Sequence, residues 1–311
     1  MADLLPLLQT AAELGLISSL TVLALFLSYS MLNVCDLSTD GCFTLGAAVG
    51  AVVAISGHPY LSILAAMGAG MLSGLVTGFL QTKLGINSLL SGIAVNTALY
   101  SVNIAVMGGS SLLNMNKTET VFTRMGAHLA ETPLAGSQKL CVAALAVLSV
   151  GTLLALFLRT RLGLAIRASG DNPDMVRSSS IDPAKTTLIG LCLSGSVTAL
   201  SGCLLAQAQK SVNIDIGSGM VTVALASLLI GGAFFGKRRR MPLRICGAVL
   251  GALLFRLVYT AALRFRLPAF MLKFVAAAIV VLTIALPYVK AQLPLIRHRF
   301  AQRKEAGDAE A

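Results

Sequence analysis

Long apolar runs separated by short polar stretches make up most of this chain. The runs are about 20 residues long, the length that an α-helix needs to cross the hydrocarbon core of a bilayer. We therefore expect an all-α, polytopic membrane protein with about nine transmembrane helices. The nine predicted spans are Leu14–Leu32, Cys42–Ile55, Leu61–Leu80, Ile86–Met107, Leu140–Leu158, Leu188–Gln207, Val221–Phe235, Ile245–Ala262 and Ala269–Leu286.

Basic residues cluster between the apolar runs, at Lys83, 159–185, 237–244 and 290–304. This distribution is typical of cytoplasmic loops under the positive-inside rule. Alternating crossings satisfy all four positions with the N-terminus outside and the C-terminus in the cytoplasm. We expect one transmembrane domain over residues 1–290, with a large cytoplasmic loop at 159–187, and a charged cytoplasmic tail over 291–311.

Glycines recur at four-residue spacing, as at Gly46 and Gly50 and at Gly70, Gly74 and Gly78. Small residues at this spacing let helices approach closely in lipid. The pattern predicts tight packing, with Leu61–Leu80 as a central helix.

Composition excludes other classes of protein. The chain is 56% hydrophobic and 12% charged, whereas a soluble domain is about half apolar and about a quarter charged. A net charge of +11 would suit nucleic acid, but the chain contains no Trp and no recognisable basic-aromatic module, so no nucleic-acid partner is expected. Six cysteines without a CxxC pair and three separated histidines predict free thiols and no metal site.

The stretch from Asn33 to Gly41 places two acids between the first two apolar runs. A charge within a membrane is costly unless it lines a cavity, caps a broken helix or finds a partner. The pattern predicts a broken helix near Asp36–Gly41, with Gly41 supplying the break and Asp36 or Ser38 capping a half-helix that starts near Asp40. Capping alone explains the acids, and contribution to a solute path is the functional alternative. The candidate path residues here are Asp36, Ser38, Thr39, Asp40 and Gly41.

The fourth apolar run carries Asn96, Tyr100 and Asn103. Spacings of four and three place these side chains on one face of a helix. They either form interhelical hydrogen bonds or line a polar pathway.

Two loops carry candidate docking surfaces. Thr160–Met175 has mixed charge, with Leu162, Ala165 and Ile166 as an apolar edge at helical spacing. It is either a surface helix on the inner leaflet or a docking helix for a cytoplasmic partner. The predicted outer segment, Gly108 to Gln138, is either a variable loop or part of a surface for an external partner.

A near match to a phosphate-binding loop, Gly231 to Arg238, does not predict nucleotide binding. Arg238 stands where the motif GxxxxGK[ST] requires a hydroxyl for Mg²⁺, and the segment ends an apolar run. We therefore expect no catalytic residues and no ATPase activity in this chain.

Three segments together resemble one known family: Asn33 through Ala48, Leu162 through Asn172, and Leu200 through Gln207. They are similar to the membrane permease subunits of bacterial ABC importers, in the group of branched-chain amino acid and ribose permeases. The similarity is closest to a less characterised branch associated with aromatic (tryptophan- or tyrosine-like) and other amino-acid uptake. Ser180, where a glycine is expected, and Gly232, where an acid is common, depart from the pattern of that branch.

The resemblance implies a multi-pass protein of the bacterial inner membrane, in which two permease copies form the channel as a homodimer. Cytoplasmic ABC ATPase subunits would dock on the loop at 159–187, and an external binding protein would deliver the solute. ATP would be used by the ATPase partner, so no cofactor is expected in this chain. The implied coupling residues are Leu162, Gly163, Ile166, Arg167, Ala168, Gly170 and Asn172.

The main hypothesis is therefore a permease subunit of an ATP-driven importer for a small polar solute, with an amino acid as the expected cargo. An ABC permease for a sugar or a nucleoside is one alternative. An ion-coupled secondary transporter is another, motivated by Asp36 and Asp40. An intramembrane enzyme ranks last, because the chain lacks HExxH and a paired His–Ser constellation.

Overall fold

The computed structural model describes residues 4–129, 138–235 and 241–263, together with 274, 277–282 and 285. In this part of the chain the regular secondary structure is helical except for one pair of short strands. The helices are α1 (Leu4–Leu25, continued by a π-helical turn at Phe26–Met31), α2 (Thr39–Ile55), α3 (Pro59–Thr82), α4 (Ser88–Val106), α5 (Val121–Leu129), α6 (Gln138–Phe157), α7 (Arg161–Asp171), α8 (Pro173–Ser178), α9 (Pro183–Gln209), α10 (Met220–Phe235) and α11 (Met241–Leu263). The strands β1 (Leu112–Asn114) and β2 (Ser211–Asn213) pair antiparallel, with Leu113 opposite Val212.

Six helices in the described residues are long and apolar enough to cross a membrane, which confirms the predicted all-α polytopic fold. The predicted count of nine spans is not confirmed by the described residues. Cys42–Ile55 and Val221–Phe235 correspond to α2 and α10, which have only 17 and 16 residues. The ninth predicted span, Ala269–Leu286, lies largely outside the described residues, and the charged tail at 291–311 lies wholly outside them.

Helix α9 is the centre of the bundle. Its 27 residues extend about 40 Å, and α1, α2 and α3 all pack along it. The expectation that Leu61–Leu80 is central was wrong, because α3 packs on α9 by one face and exposes large side chains such as Leu64 and Leu72 on the other. Glycine spacing identified the contact face of α3 but carried no information about what covers its opposite face.

Glycines allow the backbones of α2, α3 and α9 to touch. A Cβ at Gly46 would overlap the backbone of Ala199, and a Cβ at Gly74 would overlap the carbonyl of Leu191. These contacts confirm the close packing that the four-residue spacing predicted. They also fix the positions of α2 and α3 along the axis of α9.

The chain reverses direction between α1 and α2 inside the bundle, before it reaches the N-terminal end of α9. Ser201 donates to the carbonyl of Ile17 and Ser194 to that of Ala24, so α1 runs antiparallel to α9. Helix α2 then begins beside the middle of α9, where the Cys42 thiol lies 3.3 Å from the carbonyl oxygen of Gly195. We call the end of the bundle where α7 packs and α9 begins the α7 end, and the opposite end, with β1 and β2, the strand end.

The predicted outer segment is partly held against α9 at the strand end. β1 pairs with β2, and the Val121 amide donates to Gln207 Oε1 at 2.9 Å. Val121 and Phe122 are buried in a cluster with Leu200. This part of the segment is therefore packed structure, whereas residues 130–137 lie outside the described chain.

Gly231 of the near-match phosphate loop serves helix packing. Gly231 lies within α10, and a Cβ there would overlap the backbone of Gly247 in α11. Gly232, the position that departs from the family pattern, faces open space.

Candidate functional site

The break between α1 and α2 lies at residues 32–38, not at Gly41. Asn33 takes the left-handed conformation, with φ of 56°, which Asn tolerates better than most residues. Gly41 lies inside α2, so the prediction that it supplies the break was wrong. Its missing side chain instead lets α4 approach, since a Cβ at Gly41 would lie 2.7 Å from Asn96 Oδ1.

The carboxylate of Asp36 accepts hydrogen bonds from another residue of the break. Its buried carboxylate accepts from the Ser38 amide at 2.9 Å and from the Ser38 hydroxyl at 2.6 Å. Thr77 of α3 donates to Ser38 Oγ at 3.2 Å, and Thr39 donates to the Asp36 carbonyl. Ser38 makes no side-chain cap to α2, so the capping predicted for Ser38 is absent and Asp36 forms a local turn instead.

Asp40 joins two helix N-termini. It lies in the first turn of α2, and its two carboxylate oxygens accept from the amides of Gly219, at 2.9 Å, and Val221, at 2.8 Å, at the start of α10. The first amides of a helix have no partner within it and carry a partial positive charge. Asp40 therefore caps α10 from α2, and the two shorter helices meet beside the middle of α9.

A polar cavity of about 340 Å³ opens next to this junction, between α2, α4 and the link from α9 to α10. Five of the eight predicted path residues line it together, whereas Asp36, Ser38 and Thr39 are absent from its walls. The lining residues are Asp40, Gly41, Thr44, Asn96, Thr97, Tyr100, Asn103, Ile214, Asp215 and Ser218.

Asn103 brings an unpaired acceptor to this cavity. Its side chain is 1% exposed, and its Nδ2 donates to the carbonyl of Gly41 at 3.2 Å. That carbonyl can only accept, which fixes the orientation of the amide. Asn103 Oδ1 consequently remains as a buried acceptor without a hydrogen-bond partner.

Sequence reasoning missed half of the cavity wall. The link from Asn213 to Gly219 supplies Ile214, Asp215 and Ser218. A signal was present, because this link is another acid-bearing polar stretch between two apolar runs, like Asn33 to Gly41. Thr44 and Thr97 carried no comparable signal, since a lone Thr on an apolar helix usually bonds to its own backbone, as both do here.

The predicted cytoplasmic loop forms two short helices with clear caps. Thr160 accepts from the Gly163 amide at the start of α7. Asn172 accepts from the amides of Asp174 and Met175, so it caps α8. The position of Asn172 is therefore explained by local helix geometry.

The predicted apolar edge of α7 is only partly buried. Ala165 and Ile166 are buried, but Leu162, one turn earlier at the start of the helix, is 51% exposed. The Ser169 hydroxyl meets Thr186 Oγ1 of α9 at 2.7 Å. Among the other proposed coupling residues, Gly163 is buried, Arg167 and Gly170 are half-buried, and Ala168 and Asn172 are exposed.

Helix α7 touches the break directly. A Cβ at Gly170 would overlap the carbonyl of Met31. A second cavity, of about 580 Å³, surrounds this contact, and we call it the α7-end cavity. The guanidinium of Arg244 lies 5.3 Å from the centre of the Phe26 ring. The α7-end cavity is lined by Tyr29, Ser30, Met31, Asn33, Arg167, Gly170, Asp171 and Arg244.

Ser180 keeps the turn that a glycine would form more easily. Its φ is 61°, in the left-handed region that most side chains disfavour. The departure from the family pattern therefore preserves the backbone conformation at an energetic cost.

Comparison with known proteins places the chain in a family. Residues 7–284 match the family described as the permease component of branched-chain amino acid transport systems. The tyrosine transport system permease protein of Clostridioides difficile is 36% identical over 225 residues, 72% of each chain. The ribose import permease protein RbsC of Escherichia coli K12 is 26% identical, over 70% of this chain and 66% of its own.

A probable branched-chain amino acid transport permease protein LivH, of Methanocaldococcus jannaschii, is 26% identical over 56% of each chain. No solved structure matches the chain significantly. The family match covers most of the chain, and the described helices suit repeated membrane crossing. This protein therefore belongs to the family of branched-chain amino acid transport system permease components, and it is a multi-pass inner-membrane protein.

Proposed function

We propose that this chain is the membrane-spanning permease subunit of an ABC importer, and that the 340 Å³ cavity is where the solute contacts it. The observation that carries the proposal is the meeting of α2 and α10 at Asp40, beside the middle of α9, next to a polar cavity. Interrupted helices whose N-termini point at a polar site are a recurring way to build a path for a polar solute through a membrane.

The proposed cargo is a small polar solute, with an amino acid as the first candidate. The similarity to a tyrosine transport permease favours an amino acid. The similarity to a ribose import permease keeps a sugar as the second candidate. The cavity volume lies at the lower end of the range for small-molecule sites, which suits either class.

The energy source proposed is an ATPase subunit docked at the α7 end. Leu162 and Leu164 of α7 and Met175 of α8 are 51%, 52% and 67% exposed, and exposed apolar side chains on a polar loop suit a protein partner. Because Gly170 of α7 packs against Met31 and Leu32, where the break begins, movement of α7 would reach the segment that leads into α2. A binding protein would dock at the strand end, and a second copy would complete the channel.

This assignment puts the α7 end in the cytoplasm, with the N-terminus outside and the C-terminus inside, as the basic clusters predict. It is testable with single cysteines at Arg161, in α7, and at Ser110, near the strands, in a chain whose native cysteines are replaced. An impermeant thiol reagent added to intact cells should label the Ser110 position alone. Labelling of both positions from outside would overturn the orientation.

An ion-coupled mechanism has less support. Both carboxylate oxygens of Asp40 already accept backbone amides of α10, and Asp36 is occupied by Ser38. Carboxylates held this way are engaged in structural contacts, which leaves less capacity to bind and release a coupling ion.

Reconstitution decides between the two mechanisms. The full chain is placed in liposomes together with its partner ATPase and binding protein, and uptake of radiolabelled tyrosine is measured. Uptake should require ATP on the side of α7, and Asn96→Leu should reduce it at least tenfold while the complex still assembles. Gradient-driven uptake by the chain alone, without the ATPase, would overturn the proposal.

Docking at α7 has its own test. The double variant Leu162→Asp, Leu164→Asp should no longer co-purify with the ATPase subunit, because two charges would replace its exposed apolar contacts. Asp174→Asn, an exposed change on the same loop, is the matched control and should co-purify normally. Retention of the ATPase by the double variant would exclude this docking surface.

A further inference from the structure

The described walls of the 340 Å³ cavity contain acidic side chains and no basic ones. Its walls contain Asp40 and Asp215, and none of its described lining residues is Lys or Arg. The charge of Asp40 is compensated by the N-terminus of α10, whereas Asp215 is exposed in the adjoining link. A cleft lined by one sign of charge concentrates solutes of the opposite sign.

Two hydroxyl donors in the same walls are already engaged, whereas one buried acceptor is not. The hydroxyls of Thr44 and Thr97 donate to carbonyls of their own helices, so those protons are engaged. Asn103 donates to Gly41 and leaves Oδ1 without a partner. A buried acceptor that stays unpaired is costly, so Asn103 Oδ1 is an independent indication that a donor from the solute completes the site.

We propose that this cavity receives the protonated amine of its solute, with Asn103 Oδ1 accepting a hydrogen bond and Asp215 providing the opposite charge. The inference rests on the proposed function and narrows its solute class to ammonium-bearing molecules. An N⁺–H donor satisfies the amide oxygen and is favoured by the acids, because charge-assisted hydrogen bonds are stronger than neutral ones. A sugar hydroxyl could donate to the amide oxygen, but it carries no positive charge for the acids to favour.

Charged thiol reagents report the sign of the electrostatic potential in the cavity, and the measurement does not require transport. Thr97→Cys is made in the full chain with its six native cysteines replaced, and the protein is held in lipid nanodiscs. Cationic 2-(trimethylammonium)ethyl and anionic 2-sulfonatoethyl methanethiosulfonate are compared, each rate being normalised to free 2-mercaptoethanol. Ser110→Cys, exposed near the strands, is the matched control.

The ratio of the normalised cationic rate to the normalised anionic rate should be about ten times larger at position 97 than at position 110. Adding Asp215→Asn should reduce that preference at least threefold. Equal normalised rates, or a preference for the anionic reagent, would overturn the proposal. If the cysteine-free chain does not fold, Thr97→Cys is made in the parent chain with its native cysteines. The rates measured for the parent chain are then subtracted from those of the variant before the ratio is calculated.

Protection by ligands tests the amine itself. Millimolar tyramine should slow modification of the Thr97→Cys chain at least twofold. Neither 3-(4-hydroxyphenyl)propionate, which lacks the amine, nor ribose should do so. Protection by ribose or by the acid, but not by tyramine, would overturn the amine assignment. Because these measurements need no ATPase, they can fail while ATP-dependent uptake succeeds, which separates this inference from the proposed function.

Discussion

The two cavities differ in the sign of the charge that they present. The cavity beside α2 and α4 carries Asp40 and Asp215 and no base among its described walls. The α7-end cavity carries Arg167 and Arg244, and Asp171 is the one acid among its described lining residues. A cationic group is favoured in the first and opposed in the second. Two such cavities suit different purposes: the first suits solute contact, and the second suits a mechanical joint between α7 and the break.

The cavities also differ in how they are held together. The first depends on a carboxylate that caps a helix from another helix. The second depends on backbone contact at Gly170, where there is no room for a side chain. Removal of the Asp40 carboxylate should therefore disrupt the first cavity, and a larger side chain at position 170 should disrupt the second.

The largest expected effect is on stability, from Asp40→Ala. Loss of two charge-assisted hydrogen bonds leaves the Gly219 and Val221 amides unpaired, which should lower the free energy of unfolding by about 2–3 kcal/mol. Asp40→Asn retains one acceptor and should lose less. The measurement is unfolding by denaturant titration in mixed micelles.

Asp174→Ala is the matched control, because Asp174 is exposed and lies 3.6 Å from Arg177. Its effect should stay within about 0.5 kcal/mol. Equal losses for the Asp40 and Asp174 variants would mean that the Asp40 cap contributes nothing to the junction.

The next effect is on transport, from Gly170→Ala. Its Cβ would overlap the Met31 carbonyl, and overpacking of this kind costs about 1–3 kcal/mol. We expect ATP-dependent uptake by the reconstituted complex to fall by about tenfold, the equivalent of about 1.4 kcal/mol, with the solute cavity intact.

The control for added volume is Gly68→Ala, since a Cβ at Gly68 in α3 meets no atom within 4 Å. This variant should transport normally. Normal transport by Gly170→Ala as well would show that the contact with the break has no part in coupling.

A smaller effect, of opposite sign, is expected at Ser180→Gly. Glycine removes the cost of the left-handed conformation, roughly 1–2 kcal/mol, but adds entropy to the unfolded chain, roughly 0.4–1 kcal/mol. The net gain should be about 0.5–1 kcal/mol in the same unfolding measurement. A loss of stability would show that the Ser180 side chain contributes more than its backbone strain costs.

The smallest expected effect on stability is that of Asp215→Asn. Asp215 is exposed in the link, and exposed substitutions usually change stability by less than about 0.5 kcal/mol. The unfolding midpoint should therefore be unchanged while the preference for cationic reagents falls. A large loss of stability would indicate a structural role and would weaken the contrast between the two cavities.

Local periodicity explains why part of the site was predictable. Asn96, Tyr100 and Asn103 were assigned to one face because i+3 and i+4 spacings are properties of a single helix. Gly41 was misassigned because glycine favours both a chain break and the close approach of a neighbouring helix. Leu162 shares the spacing of Ala165 and Ile166 but is exposed at the start of α7, because periodicity does not reveal how much of a short helix the bundle covers.

The amino-acid sequence alone determined that this protein is a helical membrane protein, because hydrophobic length and charge distribution act locally along the chain, and the resemblance of three of its segments to known permeases indicated its family. Only the tertiary structure separated Asp36 from Asp40. Asp36 bonds to a residue two positions away, whereas Asp40 caps a helix about 180 positions later. Such a contact depends on where folding brings α10, and this is a consequence of packing on α9 that no local pattern encodes.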